Sequence, residues 1–134
     1  MFRRPDASAE RERGPRFALE IPEGVETIGA FAFENTLRIE SVRLPSTLRS
    51  LGPGAFSNCG NLKEIDLPEG VKEIPAGCFL GCAALERVSA PGAAEIDALA
   101  FAGCERLANL RLPTDPRPVF HPSATLDCPA LRRK

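Results

Sequence analysis

The stretch Leu51-Gly52-Pro53-Gly54-Ala55-Phe56-Ser57-Asn58-Cys59-Gly60-Asn61-Leu62-Lys63-Glu64-Ile65-Asp66-Leu67-Pro68 joins two short patterns of different period. Leu62, Ile65 and Leu67, closed by Pro68, read as a short strand that turns Ile65 and Leu67 inward and Asp66 outward. Gly52-Pro53-Gly54 reads as a turn, after which Ala55, Phe56 and Cys59 fit one tight helical turn with an apolar side. A unit this small has nothing of its own to cover both a Phe and a strand face. It therefore predicts copies of itself stacked above and below.

The copies are present on both sides of the stretch. Prolines that end the strands stand at Pro22, Pro45, Pro68, Pro91 and Pro113, spaced 23, 23, 23 and 22 residues apart. Three residues before each Pro come Leu19, Val42, Ile65, Val88 and Leu110, and one before it come Ile21, Leu44, Leu67, Ala90 and Leu112. Six residues after it come Ile28, Leu51 and Ile74, with Ile96 one residue early. The pairs Ala32-Phe33, Ala55-Phe56, Cys78-Phe79 and Ala100-Phe101 follow. The residue missing from the fourth unit falls between Pro91 and Ile96, in a surface turn where a deletion costs little. A fifth unit is degenerate: Phe120, Ala124, Cys128 and Leu131 keep their columns, but Thr125 stands where Phe is expected. Atypical end units are what a solenoid needs where one side faces water.

The pattern from Leu44 to Pro68, Leu-Pro-x-x-Leu-x-x-Leu-Gly-x-x-Ala-Phe-x-x-Cys-x-x-Leu-x-x-Ile-x-Leu-Pro, resembles the BspA-type (Treponema-type) leucine-rich repeat. The resemblance runs from about Leu19 to Leu131, with departures at Thr36, which replaces the first Cys, and at Pro75 and Asp97, which replace Gly29 and Gly52. It implies an α/β-type repeat solenoid, short and right-handed, of about five units of 22–23 residues with a parallel sheet on its concave side. It also implies a bacterial protein, since the better-understood members are bacterial and protist surface proteins that bind host or bacterial proteins. The expected layout is a disordered tail over 1–17, a solenoid over 18–131 with a degenerate cap from about 113, and a basic tail over 132–134.

Composition narrows the function classes. The chain has 134 residues and a net charge of −1, so no global field draws it to nucleic acid or to an anionic membrane. No apolar run approaches the length of a membrane span. Aromatic content is all Phe, with no Trp or Tyr, which suits core packing better than ligand stacking. Met1-Phe-Arg-Arg leads into Pro5-Asp6 and Glu10-Arg-Glu-Arg13 rather than an apolar stretch, so no secretory signal is visible and the expected compartment is the cytoplasm. The arginines at 3, 4, 11, 13 and 16 are interleaved with acids, which reads as a solvated tail more than as a basic arm.

Two residue types invite a chemical role. Cys59, Cys82, Cys104 and Cys128 share one column, and Cys78 stands in the Ala column. Parallel units lie roughly 4.8 Å apart, so these thiols form a line rather than the tetrahedron zinc requires. There is no Cys-x-x-Cys pair, and the odd count opposes a disulfide framework, so the thiols read as small buried hydrophobes. No metal and no cofactor are expected. His121 has Ser123 and Asp127 nearby in sequence but in no spacing that builds a nucleophile–base–acid set, so the chain reads as non-enzymatic.

The outward strand residues carry the functional expectation. Two before each Pro come Glu20, Arg43, Asp66, Ser89 and Arg111; four before it come Ala18, Ser41, Glu64, Arg87 and Asn109. In a parallel sheet these form rows in which Glu20–Arg43–Asp66 and Glu64–Arg87 alternate in sign and can pair laterally. Arg43, Glu64, Asp66, Arg87 and Arg111 are the candidate contact residues of a surface that binds a protein ligand. The alternatives are a structural module, possibly self-associating end to end, and a fragment of a larger bacterial surface adhesin.

Overall fold

Each repeat contributes two strands where the sequence pattern marks only one. In the computed structural model of the chain, which describes residues 15–131, the strands run in the order β1 (Phe17–Glu20), β2 (Thr27–Ile28), β3 (Ile39–Arg43), β4 (Ser50–Leu51) and β5 (Glu64–Asp66). They continue with β6 (Glu73–Ile74), β7 (Arg87–Ser89), β8 (Glu95–Ile96), β9 (Asn109–Arg111) and β10 (Val119–Phe120). The odd-numbered strands form a five-stranded parallel sheet, β1-β3-β5-β7-β9. The even-numbered ones form two smaller parallel sheets, β10-β8-β6 and β2-β4. Five coils stacked in register make a parallel-strand β-solenoid.

The repeated columns become the core. Phe33, Phe56, Phe79 and Phe101 form one stack, with neighbouring ring centroids 5.4, 5.8 and 5.5 Å apart and interplanar angles of 12°, 3° and 4°. These separations exceed the roughly 4.8 Å strand spacing, so the rings stack with an offset, the arrangement that π quadrupoles favour. Around the stack pack Ile28, Leu51, Ile74 and Ile96 from the even strands and Ile65 and Val88 from the odd ones, all buried. Pro91-Gly92 opens the shortened turn of the fourth unit, and a Cβ at position 92 would collide with the Glu69 carbonyl.

Two expectations are corrected. Among the described residues there is no helix, so the α/β assignment does not hold and the Ala55–Cys59 segment is a run of turns. The reason lies in its hydrogen bonds. Ala55 N–H donates to Gly52 C=O three residues back, but Phe56 N–H donates to Cys78 C=O on the next coil instead of closing a helical ring. The same inter-coil bond recurs from Phe33 to Ala55, from Phe79 to Ala100 and from Phe101 to Ala124. Left-handed residues recur four apart in each inner coil: Phe31 and Asn35, Gly54 and Asn58, Gly77 and Gly81, Leu99 and Gly103. Each one reverses the helical sense before a second turn can form. The second correction is a boundary: Phe17, placed in the tail by the sequence pattern, opens β1 and pairs with Ile39. The remainder of the two expected tails, apart from Pro15 and Arg16, lies outside the described residues.

Candidate binding surface on the five-stranded sheet

Strand alternation positions the candidate surface. In β5, Ile65 is buried between exposed Glu64 and Asp66, and in β7 Val88 is buried beside exposed Arg87. Arg43 ends β3 and Arg111 ends β9, both exposed. All five expected contact residues therefore stand on one outward face, carried by strands whose opposite side chains are fixed in the core.

Their mutual contacts differ from the expected rows. Glu64 and Arg87 sit directly opposite in the β5–β7 register and form an ion pair, although each side chain stays about half exposed. Glu20 lies opposite Arg43, yet no ion pair joins them, and Arg43 and Asp66 do not pair either. Asp66 instead has Ser89 opposite, and Ser89 has Arg111 on its other side. Among the described residues Arg43, Asp66 and Arg111 thus carry no internal ion pair.

An open cleft of about 360 Å³ lies at the start of β5, β7 and β9, lined by Lys63, Glu64, Glu86, Arg87 and Asn109. Lys63 and Glu86 were missed by the sequence reading. They occupy one position before each strand, next to the turn, and adjoin through the bond from Glu86 N–H to Lys63 C=O. Basic and acidic side chains alternate around the cleft, so it presents both signs to a ligand.

The thiols have a structural task. Cys59 Sγ–H donates to Phe33 C=O at 3.2 Å, Cys82 to Phe56 at 3.1 Å, Cys104 to Phe79 at 3.1 Å and Cys128 to Phe101 at 2.9 Å. The Phe56, Phe79 and Phe101 carbonyls each also accept an N–H from the Cys three residues on, so the thiol of the following coil uses the second lone pair. Burial pushes the Cys104 thiol up to about 12 and raises Cys78, Cys82 and, less deeply placed, Cys128. None of the five cysteines is in a disulfide.

His121 is also tied into the backbone. Its Nδ1 accepts the Ser123 N–H at 3.1 Å and lies 2.9 Å from Ser123 Oγ, which in turn accepts the Leu99 N–H at 3.1 Å. In the inner coils the corresponding N–H groups of Phe31, Gly54 and Gly77 donate to carbonyls of the next coil. The Ser123 hydroxyl replaces such a carbonyl in the degenerate unit, and the imidazole orients it. Among the described residues Asp127 makes no hydrogen bond to this pair.

No helix among the described residues is long and apolar enough to cross a membrane. No curated protein matches the chain. Among solved structures, a leucine-rich cell surface protein of Faecalibacterium prausnitzii A2-165 is similar, with a TM-score of 0.84 and 34% identity over 97% of this chain and 33% of that one. A leucine-rich repeat protein of T. pallidum matches with a TM-score of 0.66 and 35% identity, covering 68% of this chain and 43% of that one. One from Bacteroides ovatus matches with a TM-score of 0.65 and 28% identity over 73% and 34% of the two chains. The chain thus spans between a third and under half of these proteins. The BspA type leucine rich repeat region matches residues 17–125 in six copies. With its Phe stack, its thiol ladder and its parallel coils accounted for, the chain belongs to the BspA-type leucine-rich repeat family.

Proposed function

We propose that this chain is a non-catalytic interaction module that binds a protein ligand through the outward face of the five-stranded sheet, with Arg43, Glu64, Asp66, Arg87 and Arg111 as contact residues. One observation carries the reading: charged side chains stand exposed on the sheet, and of the five contact residues only Glu64 and Arg87 pair with each other among the described residues. Because β3, β5 and β7 are held by neighbours on both sides and β9 by β7, binding costs little ordering of the backbone. A guanidinium without a lateral acid, as at Arg111, is available for a bidentate pair with a carboxylate of the partner. The lack of Tyr and Trp predicts moderate affinity, since hot spots favour those residues.

The test is affinity capture from a lysate of the source organism, followed by direct affinity measurement for the captured protein. Arg111→Ala weakens binding more than Arg43→Ala, because Arg43 stands between Glu20 and the Asp66 row while Arg111 has only Ser89 beside it. Both leave stability within about 0.5 kcal/mol, as exposed changes do. If both variants bind normally while Lys72→Glu, next to β6 on the other strand set, abolishes binding, the sheet-face reading fails.

A second reading is favoured by the cell surface protein of F. prausnitzii, which is similar to this chain over only 33% of its own length. In it the module is one part of a larger bacterial surface adhesin and the same sheet face serves as its contact surface. Detection of the sheet-face epitopes on intact cells distinguishes this from a cytoplasmic role.

A further inference from the structure

Successive coils are joined by backbone hydrogen bonds at equivalent positions, and one junction lacks several of them. Coil 1 carries β1 and β2, coil 2 carries β3 and β4, and so on to coil 5. Between coils 1 and 2, Ile21 N–H donates to Arg43 C=O, Ser50 N–H to Glu26 C=O and Gly52 N–H to Ile28 C=O. The same bonds recur between coils 3 and 4, from Leu67 to Ser89, Glu95 to Lys72 and Asp97 to Ile74. They recur again between coils 4 and 5, from Ala90 to Arg111, Val119 to Ala94 and His121 to Ile96. Between coils 2 and 3, among the described residues, none of them forms. Leu44 N–H does not donate to Asp66 C=O, nor Glu73 N–H to Arg49 C=O. The remaining donor position is Pro75, which has no N–H.

Strand pairing breaks at the same place. β4 pairs only with β2 and β6 only with β8, so the even strands are divided between coils 2 and 3. In the five-stranded sheet Asp66 pairs with Ser89 and Ser89 with Arg111, whereas the β3–β5 match stops at Val42 and Ile65 and leaves Arg43 and Asp66 out. The widest step of the Phe stack, 5.8 Å, lies between Phe56 and Phe79 of these two coils. Arg49 and Lys72, both exposed, share a column and set like charges across the junction, where Glu26 and Arg49 set opposite ones between coils 1 and 2. Beside the short β3–β5 ladder, the junction keeps the bonds from Gly54, Phe56 and Asn58 to Ala76, Cys78 and Leu80, and from Lys63 to Glu40.

We propose that this junction is a seam at which the solenoid opens locally, dividing it into a block of coils 1 and 2 and a block of coils 3 to 5. In a stack where each coil touches only its neighbours, stability is roughly a sum of coil and junction contributions, so the junction with the fewest bonds opens first. Fraying from the ends gives the opposite order, because it leaves the middle of the stack best protected. The seam also crosses the sheet face. Arg43 belongs to one block, and Glu64, Asp66, Arg87 and Arg111 belong to the other. A ligand held by both blocks would close the seam, a consequence that rests on the sheet-face reading; the seam itself does not.

The experiment is native-state hydrogen exchange of the full chain without ligand, read amide by amide by NMR as protection factors. The N–H groups of Gly54, Phe56 and Asn58, which bond across the seam, are expected to be less protected than their counterparts one coil on, Gly77, Phe79 and Gly81, and one coil back, Phe31, Phe33 and Asn35. Pro75→Ala supplies the missing donor opposite Leu51 C=O and raises protection at the seam amides about fivefold, as one added hydrogen bond does, with the other two sets unchanged. A melt of the variant is recorded alongside, since removing a proline loosens the unfolded chain whatever happens at the seam. Equal or greater protection at Gly54, Phe56 and Asn58 in the wild type overturns the proposal, and this profile decides alone if the variant does not fold. Unchanged protection at these amides in a folded Pro75→Ala overturns it as well. No ligand takes part, so the seam and the sheet-face reading fail separately.

Discussion

Raising the pH should unfold this protein through its thiols, and the structure sets the size of the effect. Cys78, Cys82 and Cys104 are fully buried, and burial raises all three above the ordinary thiol range, Cys104 to about 12. In the unfolded chain a thiol titrates near 8.5. A folded-state value above the unfolded one means that the contribution is whole below about pH 8.5 and is lost as pH climbs from there toward the folded value. At about pH 10 the unfolded state has gained roughly 2 kcal/mol from each ionised thiol, or about 6 kcal/mol from three. That rivals the whole stability of an ordinary domain, about 5–15 kcal/mol. Few other groups confuse the measurement: there is no Tyr, and the chain has three lysines, of which Lys63 and Lys72 are exposed. Urea melts between about pH 7 and about pH 10 under a phosphine reductant should show flat stability up to about 8.5 and a steep fall above it. Cys104→Ala should be less stable at neutral pH yet lose about one third less on going to alkali. A stability that stays level up to pH 10, or a fall of equal slope in the Cys104 variant, refutes the reasoning.

Phe56→Ala and Phe79→Ala each remove a ring with neighbours on both sides and should cost about 3–5 kcal/mol in urea melts. Phe33→Ala and Phe101→Ala forfeit one ring contact fewer and should cost about 0.5–1.5 kcal/mol less, so equal losses at all four sites count against the stack. Leu99 holds a left-handed conformation, φ 59°, in the column where Gly54 and Gly77 stand, and its side chain is 38% exposed. Leu99→Gly should be neutral or stabilising by up to about 1 kcal/mol, since relief of about 1–2 kcal/mol of strain exceeds the entropy cost of Gly. A clear loss of stability shows that the Leu99 side chain contributes packing that its exposure conceals.

Parallel stacking explains which features the sequence announced. A residue in one coil rests on its counterpart in the next, so the environment repeats and with it the residue: Phe33 to Phe101, Cys59 to Cys128, Ile28 to Ile96. The even strands left no such trace of their own kind, because two residues such as Glu73–Ile74 are too short to show an alternation. Their inward members were legible as a column, but not as strands. The absent helix was harder to foresee. Ala55, Phe56 and Cys59 have helical spacing, and what defeats the helix is the left-handed backbone at Gly54 and Asn58 together with bonds to a coil 22 residues away. Gly and Asn hint at such a backbone, whereas Phe31 and Leu99 do not.

On the sheet face, alternation alone placed Arg43, Glu64, Asp66, Arg87 and Arg111 outward, because an inward slip of one residue would bury the charges and expose the core. Which charges pair was not determined by the same rule. Glu64 and Arg87 form their ion pair while Glu20 and Arg43, equally well opposed, do not. Exposed pairs contribute only about 0–1 kcal/mol, so small differences in side-chain freedom decide the outcome. The same weakness is what leaves the face usable. A charge held by a strong internal partner would have to be released before it could meet a ligand, whereas Arg43, Asp66 and Arg111 are held in place by their strands and form no ion pair among the described residues.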